Sequence, residues 1–155
     1  MTDSTGATGT ASFTWTVSSS GGGGSCTSAQ LLGNPGFESG STTWTASSGV
    51  ITNDTDEAAH GGSYKAWLDG YGSTHTDTLS QSVTIPSGCK ATLTFYLHID
   101  TSETTTSTAY DKLTVTAGST TLATYSNLNA ASGYTQKSFN PVSYTHLTLP
   151  TILRV

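Results

Sequence analysis

Short stretches of alternating hydrophobic and polar residues run through most of the chain. The clearest stretch spans residues 91–100, where one face carries only hydrophobic side chains: Leu93, Phe95, Leu97 and Ile99. The opposite face carries Thr92, Thr94, Tyr96 and His98. Successive side chains of a strand point to opposite faces of its sheet. The pattern therefore predicts a β-strand with one buried face.

Similar stretches predict further strands at residues 11–17, 63–70, 75–85, 112–117, 121–125 and 134–139. Residues 31–44 are expected to form a short strand and a Gly/Asn/Pro turn, followed by Trp44, which we assign to the core. Gln81 lies among Leu79, Val83 and Ile85, so its amide is expected to bond to the backbone inside the fold. No helical period is found. Short strands at this spacing predict an all-β sandwich.

Composition supports this fold class and excludes two classes of partner. Charged residues make up 10% of the 155 residues, and the formal net charge is −5. Nucleic-acid binding needs clustered Lys and Arg, so this partner is not expected. No apolar run approaches the roughly 20 residues of a membrane-spanning helix, so no membrane insertion is expected.

The chain has two cysteines, Cys26 and Cys89, at a spacing that fits no zinc site. In an exported protein they would pair and close a loop of about 60 residues, worth roughly 4 kcal/mol by the chain-entropy estimate. The alternative is two free buried thiols.

Four segments differ in character. Residues 1–17 contain one isolated strand and resemble the closing hairpin of bacterial immunoglobulin-like domains, so we assign them to the end of such an upstream domain. Residues 18–25 are a Gly/Ser linker, and residues 26–141 form the main domain. Residues 142–155 include VSYTHLTLPT, which resembles a translated sequencing-library adapter, and are expected to be non-native; the alternative is a natural apolar terminal strand. The main domain would then be truncated before its closing strands, and the natural start of the protein would lie upstream, with its secretion signal.

Several motifs carry a resemblance to a known class of domain. NPGFESG, followed by Trp44, resembles the opening of jelly-roll carbohydrate-binding modules. Together with HGGSYKAWLDG, the run from Leu79 to Gly88, and LTFYLHI before DKLTV, it resembles a jelly-roll accessory domain of exported bacterial hydrolases, sedolisin-type peptidases among them. In these proteins the domain follows immunoglobulin-like repeats. The resemblance implies a jelly-roll β-sandwich and an extracellular location.

The resemblance also implies a structural calcium ion at the edge of the sandwich. Its carried-over ligand is Glu38, with carbonyl groups of residues 60–65 beside it, because calcium takes six to eight oxygen ligands. The resemblance also implies an Asp ligand from the final strand, which is missing from this sequence. The alternative is that Glu38 is a solvated turn carboxylate. Asp54, Asp56 and Glu57 form either a second cation site or a solvated acidic loop.

Sugar binding needs aromatic faces with polar groups beside them. Strand parity places Trp67, Asp69, Tyr96 and His98 opposite the hydrophobic faces of their strands, and Tyr71 lies in the adjoining loop. If both polar faces line one sheet, these five residues form a binding platform. The alternative is that Trp67 and Tyr96 belong to a second core layer.

These observations predict a non-catalytic binding module of a secreted bacterial hydrolase, directed at a polysaccharide or a cell-wall surface. No nucleophile, metal-protease or phosphate-binding motif is present, so no catalytic residue is assigned. Two alternatives stay open. One is a structural or processing domain that packs on the parent catalytic domain of an exported peptidase, and the other is an adhesin-like domain that binds a protein.

Overall fold

A computed structural model describes the backbone of residues 8–18, 26–142, 147–148 and 151–154, and the side chains of residues 26–139. Twelve strands are formed in chain order: β1 (Thr8–Ser18), β2 (Thr45–Ala46), β3 (Ile51–Thr52), β4 (Lys65–Asp69), β5 (Thr76–Ser80), β6 (Ser82–Val83), β7 (Lys90–Asp100), β8 (Lys112–Ala117), β9 (Thr120–Ser126), β10 (Thr135–Val142), β11 (Leu147–Thr148) and β12 (Thr151–Arg154). A single 3-10 turn, Asn127–Asn129, is the one helical element in the described part of the chain.

Two five-stranded antiparallel sheets enclose the core. The first sheet has the order β10-β7-β1-β4-β3, and the second has the order β2-β5-β12-β8-β9. One buried cluster draws on both sheets, with Leu93 and Phe95 of β7 from the first and Leu79, Leu113 and Val115 from the second. Each sheet thereby covers the apolar face of the other. The predicted all-β sandwich is confirmed.

The strand β7 shows the alternation that predicted it. Its apolar positions are buried, from Leu93 at 0% exposure to Ile99 at 8%. The partial burial of Tyr96 and His98 on the other side shows that this face is not open to solvent either.

Two further residues predicted for the interior, Trp44 and Gln81, are buried, and the two cysteines are bonded to each other. Trp44 is buried and donates its indole N–H to the carbonyl of Asn34 at 2.9 Å. Gln81 is also buried, and its amide pairs with both the N–H (2.7 Å) and the C=O (3.0 Å) of Gly33. Cys26 and Cys89 form a disulfide with a Cα–Cα distance of 5.7 Å, which confirms the pairing. By contrast, the short strand expected before Asn34 is not formed, because these residues make turns instead.

The position of β1 differs from the domain assignment made on sequence. We assigned residues 1–17 to an upstream domain, yet β1 is hydrogen-bonded between β7 and β4, and it pairs with β7 from Thr8↔Asp100 to Ser18↔Lys90. An interior strand can satisfy its backbone N–H and C=O groups on both edges, which explains why this position is favourable. The predicted linker of residues 18–25 lies, apart from Ser18, outside the described residues.

Residues of the C-terminal segment also pair within the sandwich. Strand β12 lies between β5 and β8, and β11 pairs with β6. This pairing describes hydrogen bonds of the backbone and does not test where residues 142–155 come from. Their origin from an adapter stays a prediction, and so does a different closing strand in the full-length parent protein.

Candidate functional site

The candidate site begins where β4 ends. Trp67 is held in the sheet by a 2.7 Å hydrogen bond from its N–H to the carbonyl of Val50, and its side chain is partly exposed. Two residues later the chain leaves the sheet, because Asp69 and Gly70 both take left-handed backbone conformations, with φ of 67° and 98°. Asp tolerates this conformation better than most residues do, and Gly adopts it without steric cost. The turn leads from β4 to Tyr71, which lines the same cavity as Trp67.

A buried carboxylate fixes this turn against the neighbouring strand. Asp77 of β5 is fully buried, and its Oδ2 accepts a 2.9 Å hydrogen bond from the backbone N–H of Asp69. Its Oδ1 lies 3.2 Å from Nε2 of His75, whose ring packs 4.1 Å from that of Tyr71. Asp77 thereby ties both ends of the turn together.

The carboxylate of Asp69 lies in an unfavourable environment. The residue is 6% exposed, and both carboxylate oxygens are buried. Burial raises the pKa of Asp69, and the nearby charge of Asp77 raises it further, while hydrogen bonds from the backbone N–H groups of Gly70 and Tyr71 and the nearby His75 oppose this shift of the pKa.

The opposite side of the site is formed by residues 53–62, which we call the covering loop. The ammonium group of Lys65 donates a hydrogen bond to the carbonyl of Asp54 and lies 4.9 Å from the centre of the Trp67 ring. Asp54 in turn accepts a 2.8 Å hydrogen bond from the N–H of Asp56. Lys65 is buried at 2% exposure, so it anchors the start of the covering loop to β4.

A cavity of about 230 Å³ lies at this site. It is lined by Gly49, Thr52, Asp54, Asp56, Trp67, Asp69, Gly70 and Tyr71. Three of the five predicted ligand-binding residues, namely Trp67, Asp69 and Tyr71, therefore line one cavity, and Tyr71 is 50% exposed. Asp54 and Asp56, which the sequence groups with Glu57 as a cation site or a solvated loop, line the same cavity.

The other two predicted residues, Tyr96 and His98, lie beneath the covering loop. The ring of His60 stacks on Tyr96 at 3.7 Å, and Glu57 lies 3.7 Å from His98. Tyr134 holds the covering loop in this position, because its hydroxyl donates a 2.9 Å hydrogen bond to the carbonyl of Ala58. The structure therefore gives no open platform at Tyr96 and His98, because a loop without any periodic pattern covers that part of the sheet.

Backbone register shows how the two groups are related. Trp67 and His98 are both paired with Thr10 of β1, so they lie on the same face of the first sheet, separated by one strand. Strands in a sheet are about 4.8 Å apart, which puts the two backbones about 10 Å from each other. Strand parity therefore predicted correctly that Trp67 and His98 lie on the same face of the sheet. It did not predict that the covering loop lies over His98.

The predicted calcium ligand Glu38 has a different set of contacts. Its Oε1 accepts hydrogen bonds from the N–H groups of Ser63 and Tyr64, both at 2.9 Å. Gly62 has a φ of 70°, and a side chain at that position would collide with the carboxylate. The loop thus presents donors to Glu38 where a calcium shell needs oxygen atoms. Within the described residues, no three Asp, Glu, His or Cys side chains are grouped to hold a metal ion.

These contacts do not fit a calcium ion at Glu38, and we derive no role for the metal here. Glu38 is an exposed turn carboxylate, as the alternative expectation had it, and its hydrogen bonds to Ser63 and Tyr64 hold the loop that precedes β4. The calcium site of an uncut parent, with a further Asp from a closing strand, stays a prediction.

No protein-family model, curated protein or solved structure gives a significant match to the chain. The function therefore has to be argued from the cavity itself. Among the described residues, no helix is long and apolar enough to span a membrane.

Proposed function

We propose that the chain is a non-catalytic carbohydrate-binding module and that the cavity beside Trp67 is its sugar site. The observation behind this proposal is the joint presence of two aromatic residues, Trp67 and Tyr71, with the exposed acidic residues Asp54 and Asp56 in one open cavity. Aromatic rings pack against the C–H faces of sugar rings, and carboxylate oxygens accept hydrogen bonds from their hydroxyl groups.

The neighbouring carboxylates of Asp69 and Asp77 are not placed like the acid–base pair of a glycosidase. A glycosidase needs two carboxyl groups that flank the scissile bond. Asp69 and Asp77 are close neighbours, but Asp77 is fully buried and already holds the backbone of Asp69 and the ring of His75. It is committed to the turn and cannot reach a substrate.

We place the module outside the cell, as part of an exported bacterial protein. The Cys26–Cys89 disulfide supports this location, because disulfides persist in oxidising compartments and are rare in the cytosol. A binding module raises the local concentration of its parent protein at a polysaccharide or cell-wall surface through tethering.

The proposal is tested by electrophoresis in native gels that contain soluble polysaccharides. Tyr71 and Tyr110 are a matched pair, exposed to 50% and 51%, but only Tyr71 lines the cavity. We expect Tyr71→Ala to weaken retardation about tenfold, the loss expected for one aromatic contact worth 1–2 kcal/mol. Tyr110→Ala should migrate like the parent chain.

Two further variants separate the cavity from the covered sheet face. Trp67→Ala should abolish retardation, whereas Tyr96→Phe, which keeps the ring under His60, should leave it unchanged. Retardation that survives Trp67→Ala, or no retardation by any polysaccharide, would overturn the proposal.

A further inference from the structure

The aromatic face of the first sheet continues beyond the cavity, and the covering loop lies over that continuation. Tyr96 and His98 of β7 share this face with Trp67 of β4. The β1 residues opposite them, Thr10 and Ser12, are two positions apart, which puts all three side chains on one side of the sheet. The covering loop therefore decides how much of this face a ligand reaches, and the inference drawn from it rests on the proposed function.

The ring of His60 takes the place of a stacked ligand on Tyr96. The two ring centres are 3.7 Å apart, and the ring planes are inclined by only 15°. Sugar rings use the flat faces of aromatic side chains in a similar way, through their C–H groups. His60 is itself exposed, so the position that it fills lies at the surface of the protein and not in its core.

Glu57 fills the neighbouring position on the same face. Its carboxylate lies 3.7 Å from Nδ1 of His98, and the residue before it, Asp56, lines the cavity. The covering loop thus runs from the cavity across His98 to Tyr96. A ligand chain that continued from the cavity along this face would collide with the side chain of Glu57 and, further on, with that of His60.

These two side chains are not what fastens the backbone of the covering loop. Loop carbonyl groups accept hydrogen bonds from Tyr134 and Lys65, and neither bond involves the side chain of Glu57 or His60. No residue from 53 to 62 is buried. Both side chains can therefore be shortened while the loop keeps its two anchors, and the space that they leave would be open to solvent.

The open part of the site is small. Its volume of about 230 Å³ is below the roughly 300–1,000 Å³ of most small-molecule pockets. We infer that the covering loop sets the length of sugar chain that the module binds, because Glu57 and His60 occupy the positions that further sugar rings would take on the covered face. The native module is thereby restricted to a short sugar segment, and a longer chain gains no contact with Tyr96.

The inference is tested by comparing the affinities of a short and a long probe. Calorimetric titration measures the binding of β-1,4-linked disaccharides and hexasaccharides of glucose and of N-acetylglucosamine. The quantity compared is the ratio of hexasaccharide affinity to disaccharide affinity for each sugar. A longer chain offers more binding registers, but this advantage is the same for every variant and cancels when the ratios are compared.

The opened variant is Glu57→Ala/His60→Ala, and its matched control is Glu57→Gln/His60→Phe. The control keeps the size of the first side chain and an aromatic ring at the second position, so that Tyr96 stays covered. We expect the opened variant to raise the ratio about tenfold, the gain expected for one further aromatic contact. The control should have the ratio of the unsubstituted chain. Adding Tyr96→Leu to the opened variant should remove the gain.

Thermal melts show whether the opened variant keeps its fold. Its Tm should lie close to that of the unsubstituted chain, because neither Glu57 nor His60 is buried. A large drop in Tm would show that these side chains hold the fold together, and would count against the inference.

The outcomes separate this inference from the proposed function. An unchanged ratio in the opened variant, with binding that is still lost in Trp67→Ala, would overturn the inference and leave the sugar site standing. An equal rise in the matched control, or a rise that survives Tyr96→Leu, would also overturn it, since the loop side chains would then not limit the site. No binding of either sugar by any variant would overturn both.

Discussion

Removing the Cys26–Cys89 cross-link gives a quantitative test of the fold. The two residues are 63 positions apart, so the disulfide closes a long loop in the unfolded chain. The chain-entropy relation gives about 14 cal/mol/K for a loop of this length, or about 4 kcal/mol at 25 °C. Spread over the unfolding entropy of a domain of this size, that loss lowers Tm by on the order of 15 °C.

Two perturbations separate the cross-link from the packing of the sulfur atoms. Cys89 is buried at 8% exposure, so the double substitution Cys26→Ala/Cys89→Ala removes core contacts as well as the bond. Reduction of the unsubstituted chain keeps both sulfur atoms and breaks only the bond. We expect urea unfolding of the reduced chain to show a loss of about 4 kcal/mol, and the double variant to lose somewhat more.

The reasoning fails if reduction changes the free energy of unfolding by less than about 1 kcal/mol. Such a result would mean that the unfolded chain already holds the two segments together, or that the start of the main domain is not anchored to β7.

Two further substitutions test the buried polar groups. Gln81→Leu should lower the free energy of unfolding by about 3 kcal/mol in urea titrations, because it leaves the N–H and C=O of Gly33 without their partner; a loss below 1 kcal/mol would contradict the assigned bonds. Asp69→Asn should stabilise the chain at neutral pH, because the folded state holds the proton of Asp69 more tightly than the unfolded state does. Because folding raises the pKa of Asp69, this side chain favours the folded state most when the pH lies below its pKa in the unfolded chain. That contribution to the free energy of unfolding is lost as the pH rises toward the pKa of Asp69 in the folded chain. The advantage of Asp69→Asn in thermal melts should therefore shrink as pH is lowered toward 3.8, and an advantage independent of pH would refute this cause.

The parts of the fold that sequence predicted are those with a local period. The alternation in β7 identified both its position and its buried face, since burial repeats every second residue along a strand. Gln81 was predicted to bond to the backbone for a similarly local reason, because a polar side chain on an apolar face must find a partner.

The parts that sequence did not predict depend on contacts between distant segments. The covering loop has no repeating pattern, so nothing in residues 53–62 indicated that His60 would stack on Tyr96. Strands β2 and β3 have two residues each, too few to show any alternation. The partners of β1 were missed because alternation identifies a strand without saying which sheet it joins.

The same dependence on distant segments explains why only some of the predicted site residues line the cavity. Strand parity identified Trp67 and Asp69 as outward residues, and the structure places them with Tyr71 in one cavity. Parity also gave Tyr96 and His98 the same status, yet the covering loop lies over them. Which part of a sheet face stays open is decided by the loop that crosses it.

The central claim, that the open end of this face binds sugar, is tested most directly by two-dimensional NMR of the labelled chain during titration with oligosaccharides of the polysaccharide that retards the chain most strongly in native gels. The account predicts that the indole N–H of Trp67 and the amides of Gly70 and Tyr71 shift with a common saturation curve, while the amides of Tyr96 and His98 stay in place. Shifts centred on Tyr96 and His98, with none at Trp67, would contradict it.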